Sequence, residues 1–309
     1  MKIPRDAVAA AEWQALAQGS VVHVRAGEAR FVVTGKGALT CLQGLVTCDL
    51  AKVPDNSRSY GALLTSKGMI VTPLWIARRD AGHFTVEAPA AAAGAVRDVF
   101  TKSLPPRLCR WEDLSAATTG LGLYGPKAVA GVGAFPGALP AVVRGARGLD
   151  GDLSADAAAL LVSELTAAGA RPASDALLDS CRILAGIPLL GAEIDDKTLP
   201  QEVRGDELGA ISYTKGCYLG QETVARIHFR GHPNRRLALL VLDGEPSGAP
   251  AEASLDGKAV GRLTSAVWSD ELDTWVGQAV IRRDVADGAT LRVAGAEAVV
   301  RVDRWLREP

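Results

Sequence analysis

The sequence predicts an α+β chain in two parts, and three observations predict it. Through about residue 186, runs of strand composition alternate with runs of helical spacing, so that strands pair and helices cover one face, a ferredoxin-like α+β sandwich. After Arg236 the texture changes to short strands separated by Asp-Gly, Gly-Lys and Ala-Gly turns, the pattern of a small antiparallel barrel or sandwich. The length of 309 residues allows about two cores. The boundary is expected near Pro233, giving one unit over 1–232 and a second over 233–309.

The elements follow in order. "SVVHV" and "ARFVVTG" are rich in Val and Phe and read as strands. Gly37 to Thr47 places Leu39, Leu42 and Leu45 at helical spacing. "RSYGALLT", "GMIVTPLWIAR" and "GHFTVEA" are three strands punctuated by turns at Lys67-Gly68 and Asp80 to Gly82. "AAAAGAVRDVFTKSL" is a helix with Val96, Val99 and Phe100 on one side. The middle repeats the rhythm: a strand in "AATTGLGLYG", a short helix in "PKAVAGVG", and loop-rich strands in "FPGALPAVV" and "RGLDGDLS". Two helices follow, "ADAAALLVSELTAAG" and "SDALLDSCRILAG", the second capped by Ser174 or Asp175 and stopped by Gly186 and Pro188. Ile187 to Tyr213 is irregular, and "GQETVARIHF" is a helix packed through Val224 and Ile227.

Composition removes several function classes. The net charge of −1 gives no global attraction to nucleic acid or to an anionic membrane surface. The longest aliphatic run, "LALLVL", is far short of the ~20 residues of a membrane span. The opening "MKIPRDAVAAAEWQALAQG" lacks the apolar core of a secretory signal, so a cytoplasmic location is expected. Five cysteines with wide spacing and no CxxC argue against a disulfide framework and against a self-contained zinc site. Cys41, Cys48 and Cys181 lie among apolar neighbours and read as small buried hydrophobes.

Cys217 is the exception. It lies in "YTKGCYLGQETVARIHFRGHPNRR" between two glycines, two residues after Lys215 and just before a short basic helix. Unpaired N–H groups at a helix start, together with a nearby ammonium, favour a thiolate. From Lys215 to Arg236 there are five Lys or Arg against one acid, Glu222, and two histidines, His228 and His232. No aromatic-interleaved surface or nucleic-acid motif is evident there, so direct contact with nucleic acid is not expected.

"KGCYLGQE" resembles the signature of the YgfZ family, the folate-binding relatives of the glycine-cleavage T-protein, an aminomethyltransferase. Other pieces resemble the family in the same order: "FVVTGKGALTCLQGLVTCDL" with Gly37 where an aspartate is usual, "GALLTSKGMIVTPLWI", "CRILAGIPLLGAEI", "LPQE" and Arg230-Gly231. The resemblance covers roughly residues 20–305. It implies a three-lobed ring of two interleaved α+β lobes and a C-terminal antiparallel β-barrel, around a central channel for tetrahydrofolate or a derivative. It also implies an accessory role in iron–sulfur cluster assembly or repair and thereby in tRNA modification, with iron–sulfur proteins or their assembly factors as partners.

In that reading Cys217 and Lys215 carry the chemistry, and Cys217 is a transient iron ligand or sulfur carrier in a protein with no resident metal site. Folate would be held by Glu202, Arg182, Gly216, Gly220, Gln221, Glu222 and Arg226. Either glutamate has the chemistry to accept two pterin N–H groups, and Arg182, Lys215 or Arg226 to meet the glutamate tail. A monomer is expected. The alternative is a folate-dependent aminomethyltransferase or demethylase of the T-protein type. Against it, Val71, Thr72 and Pro73 stand where those enzymes carry aspartates, and Cys217 stands where they carry another acid.

Overall fold

The structure, a computed structural model, describes residues 1–128, 135, 137–143 and 145–301. Most of the short helix expected in "PKAVAGVG" falls outside them. After α1 (Ala10–Gln18), strand β1 (Val21–Arg25) is followed by five strands that pair with one another and not with it: β2 (Glu28–Thr34), β3 (Ser57–Leu64), β4 (Ile70–Asp80), β5 (His83–Pro89) and β6 (Arg110–Asp113). They form an antiparallel sheet in the order β3-β4-β5-β2-β6, with α2 (Ala38–Gln43) and α3 (Ala93–Ser103) in its connections. Alternation decides its faces. Phe31, Leu63, Leu74, Ile76, Phe84 and Val86 point into a core with Val96 and Phe100 of α3, where Phe31, Phe100 and Trp111 meet edge to face.

β1 waits for the chain to return. It pairs antiparallel with β7 (Thr119–Tyr124) and parallel with the two-residue β10 (Arg171–Pro172). β9 (Ala146–Leu153) and β8 (Leu139–Val143) complete the order β10-β1-β7-β9-β8. Neighbouring residues of this sheet serve opposite faces. Val22, Leu121, Leu123 and Leu149 pack on α4 (Ala155–Ala167), whereas Val21 and Tyr124 pack on α1 and α5 (Asp175–Ala185). Ser174 caps α5, accepting from the Leu177 N–H, and Gly186 ends it in the left-handed region at φ 68°. The two lobes are thus interleaved in sequence.

α6 (Gln221–Arg230) leads into the third lobe. Strands β11 (Arg235–Leu242), β12 (Ala251–Leu255), β13 (Lys258–Ser269), β14 (Thr274–Arg282), β15 (Thr290–Val293) and β16 (Ala296–Arg301) close into an antiparallel barrel in the order β11-β14-β13-β12-β15-β16. Closure removes the exposed edges that an open sheet of these strands would leave. α5 docks on the barrel through Ile183 and Leu184, against Leu239, Val267 and Val276. Among the described residues, no helix is long and apolar enough to cross a membrane.

A buried ionic cluster joins the two sheets. Arg25 of β1 donates to Glu87 of β5 at 2.9 Å and to Asp150 of β9 at 2.5 Å, and also pairs with Glu28. Arg58 of β3 contacts the same Glu87 and reaches Asp150 at 2.8 Å, and Arg30 pairs with Asp152 at 2.5 Å. Gly120 of β7 makes room, since a Cβ there would lie 2.0 Å from Arg30 Nη2.

Candidate functional site

Between the sheets lies a cleft of three adjoining hollows, of about 870, 290 and 110 Å³. Trp75 lines all three, Tyr60 two of them, and Arg58 two. Strand register explains this. Tyr60 of β3 is the cross-strand partner of Trp75 on β4, Trp75 that of Glu87 on β5, and Glu87 that of Arg30 on β2. This row runs across the face opposite the apolar core. The Tyr60 and Trp75 rings lie 4.9 Å apart at 46°.

Glu87 gives the row its charge. Burial alone would raise its carboxyl, but Arg25 and Arg58 outweigh burial and hold it at about 2. Its Oε2 takes both arginines, while Oε1 is buried with no hydrogen-bond partner in the protein, on a residue that borders the smallest hollow. Thr72, on the segment where an acid would serve one-carbon transfer, is fully buried and donates to the Pro73 carbonyl. Arg147 is exposed at the largest hollow.

These groups suit a reduced folate in kind. The volume is that of a small-molecule site. The aromatic pair offers a flat apolar wall, Glu87 Oε1 an acceptor for a pterin N–H, and Arg147 a cation toward an anionic tail.

The residues singled out in the sequence are placed differently. Glu202 is buried and fully engaged: its two oxygens accept from Arg235 Nε and Nη2 at 3.1 and 2.8 Å, and Oε2 also takes the Leu199 N–H at 3.0 Å. It fastens the segment before α6 to β11. Arg182 borders the smallest hollow, yet its guanidinium serves the α5–barrel joint, donating to Glu193 at 3.0 Å, to Ser265 at 3.1 Å and to the Ile187 carbonyl at 3.0 Å. Arg182 is thus held in a buried ion pair, and Glu202 in one whose arginine is partly exposed.

Lys215 is engaged in a comparable way. Its Nζ donates to three carbonyls, Gln43 at 2.7 Å, Val46 at 2.5 Å and Cys48 at 2.8 Å, and lies 4.8 Å from the Tyr218 ring centre. Burial lowers its pKa to about 8. All three N–H groups point inward, so the ammonium serves the end of α2 and not the Cys217 thiol.

Cys217 itself is exposed, the one exposed cysteine of the five, and is not among the residues lining the cleft. Buried Tyr218 and the Leu219 N–H, which donates to the Gly44 carbonyl at 3.1 Å, anchor the chain that follows the exposed thiol. Gly220 caps α6 at φ 81°, where a Cβ would lie 2.5 Å from the Thr65 carbonyl oxygen, so it is required for docking on the β3–β4 hairpin. Gly216 meets no such restriction, with nothing within 4 Å of a built Cβ. Gln221 is half-buried, and Glu222 and Arg226 are exposed on α6. None of these lines the cleft. No group of three or more metal-ligating side chains occurs among the described residues.

Known proteins share this architecture. Residues 4–136 match the GCVT N-terminal domain model, and residues 235–305 match the glycine cleavage T-protein C-terminal barrel domain model. The tRNA-modifying protein YgfZ of Klebsiella pneumoniae (strain 342) is 28% identical over 299 residues, covering 88% of each chain. The protein of the same name from Yersinia pestis (strain Pestoides F) is 38% identical over 118 residues, 36% of this chain and 35% of that one. The glycine cleavage system aminomethyltransferase T of Bartonella henselae superposes with a TM-score of 0.82 at 20% identity, over 96% of this chain and 89% of that one, a likeness of fold.

Proposed function

Because the chain belongs to the YgfZ family, within the glycine-cleavage T-protein superfamily, we propose that it is a folate-binding accessory protein of tRNA modification. The observation that carries the reading is the row Tyr60–Trp75–Glu87, two aromatic rings and a carboxylate with one unpartnered, buried oxygen bordering the interlobe cleft. Tyr60 and Trp75 would hold the flat ring, Glu87 Oε1 would orient it through an N–H, and Arg147 would meet the glutamate tail. When bound, the folate supplies a carrier for a one-carbon unit. The chain's own groups bind and orient it, and the ionic cluster beneath keeps Glu87 ionised as an acceptor.

The finer part of the proposal concerns Cys217. Its exposure, away from the cleft lining, suits a thiol that meets another protein, passing sulfur or ligating iron during cluster assembly or repair. A cluster needs about four ligands, so the remaining ones come from the partner or from small thiols. The T-protein reaction is less well supported, because β4 brings Pro73 and Trp75 to the cleft side and no acid, while Glu87 is committed to two arginines.

Calorimetric titration with tetrahydrofolate and 5-formyltetrahydrofolate tests the reading. Saturable binding at or below roughly 100 μM is expected, and absence of binding by both would sink it. Cys217→Ser should retain that binding and lose rescue of cluster-dependent tRNA-modifying enzymes in a deletion strain. Full rescue by the variant would remove the thiol from the mechanism. Turnover of dimethylglycine, sarcosine or a loaded lipoyl carrier would replace the accessory role with an enzymatic one.

A further inference from the structure

The outer face of α6 carries a surface that the folate reading does not use. Glu222, Arg226, Phe229 and Arg230 are exposed and share one side of the helix by their spacing, while Val224 is buried on the other. Phe229 is 67% exposed, unusual for an aromatic ring with no apolar patch around it. It stands edge-on to His228 at 4.8 Å, and His228 stacks on Tyr213 at 3.6 Å and 18°. Tyr213 is fixed through its hydroxyl, which donates to Asp206 at 2.6 Å. The result is a built aromatic step on the surface, flanked by two guanidiniums.

Cations continue beyond the helix. A depression of about 710 Å³ adjoins its C-terminal end, lined by His232, Asn234, Arg235, Arg282, Arg283 and Asp284. The Arg283 N–H donates to the Asn234 carbonyl at 2.9 Å, which fixes the barrel side of the depression against the chain leaving α6. Arg282 is paired with Asp284 and Arg235 with Glu202, whereas Arg226, Arg230 and Arg283 are exposed. Glu222, Asp206 and Asp284 border the surface as acids, with Glu202 behind Arg235. In a chain of net charge −1, this local excess of cations is a feature of one face and not of the protein.

We infer that this face binds single-stranded RNA, with phosphates following Arg226, Arg230 and Arg283 and a base stacking on Phe229. Charge complementarity selects a polyanion. The exposed ring selects one with free planar faces, which a duplex does not offer. A protein partner would require a broader apolar centre to its interface than the Phe229 ring with His228 and Tyr213 beside it, which Arg226 and Arg230 flank on the helix. The choice of RNA over DNA rests on the proposed link to tRNA modification, whereas the preference for a single strand rests on Phe229 alone.

Fluorescence anisotropy of the full chain with a labelled single-stranded RNA of about 12 nucleotides tests the assignment. Saturable binding at or below roughly 100 μM is expected, weakening as salt rises. Arg226→Ala with Arg230→Ala should lower affinity at least about tenfold and reduce the salt slope by about 1.4. Phe229→Ala should lower it roughly five- to hundredfold with the slope unchanged. No binding by the parent chain, or variants that bind as the parent does, would overturn the proposal. So would equal binding of duplex RNA, or equal displacement by poly-glutamate, which would assign the face to an acidic protein. Single-stranded DNA binding equally well would overturn the choice of RNA. Folate titration of the same variants keeps the two readings separate, since these residues lie outside the cleft lining.

Discussion

Lys215 and Gln43 meet at 2.7 Å across 172 positions of sequence, where the buried ammonium donates to the carbonyl of the last residue of α2. The same nitrogen takes the Val46 and Cys48 carbonyls, so one side chain satisfies the turn that ends the helix. Lys215→Met should fill the same space and leave these acceptors unmet, lowering stability by about 1–3 kcal/mol in urea denaturation. The exposed Cys217→Ser should change it by less than about 0.5 kcal/mol. Equal stability of the methionine variant and the parent would show that water replaces the ammonium without cost.

Trp75 borders every hollow of the cleft and lies tilted against Tyr60. Trp75→Ala should weaken tetrahydrofolate binding roughly ten- to hundredfold, and Trp75→Phe should weaken it much less. Unchanged affinity in the alanine variant, with its melting temperature retained, would place any bound folate elsewhere.

The ionic cluster sets a pH dependence. Burial pushes the Asp150 carboxyl up to about 7, against the pull of Arg25 and Arg58. The folded chain therefore keeps a proton that an unfolded chain, with a carboxyl pKa of about 4, has released. That contribution is complete below about pH 4 and is lost as pH rises through about 7. Glu87 runs the other way, its contribution present at neutral pH and lost only as pH falls toward about 2. The melting temperature should thus decline between about pH 4 and 7, and Asp150→Asn should flatten that decline. A parent chain with a flat profile over this window would mean that Asp150 stays ionised.

Gly220 and Gly68 bring α6 against the β3–β4 hairpin. A Cβ on Gly68 would lie 2.9 Å from Thr223 Cβ, and one on Gly220 2.5 Å from the Thr65 carbonyl oxygen. Gly220→Ala should cost about 1–3 kcal/mol, while Gly216→Ala should be close to neutral. Similar melting temperatures for the two variants would contradict the docking role.

Period-two alternation made β1 to β5 readable, and Ser174 and Gly186 bounded α5 as their chemistry requires. The helix expected over Gly37 to Thr47 stops at Gln43, because Gly44 follows and the chain then turns to meet Lys215. β6 and β10, of four and two residues, exist through pairing and carry no signal of their own. The cysteine motif was visible because its residues are consecutive. The cleft was not, because Tyr60, Trp75 and Glu87 come together through the register of three strands. The one available hint was that these strands alternate between apolar residues and large polar or aromatic ones, a face too rich in Arg, Glu and Trp for plain solvent. The partners of Arg182, Glu202 and Lys215 were hidden for a related reason, since the fold and not the motif supplies them. Charged side chains near a motif look like ligand contacts until their buried partners are seen.

Interleaving also governs the order of assembly. During synthesis β1 leaves the ribosome long before β7, the strand beside it, with the whole first sheet made in between. At about 5–20 residues per second the delay is roughly 5–20 s. For that interval Val21 and Val22 have no strand beside them, and Arg25 lacks Asp150. The first sheet can mature early, but the second must close around it. A gene cut anywhere between β1 and β7 would then part β1 from the strand beside it, so the lobes are inherited and lost together.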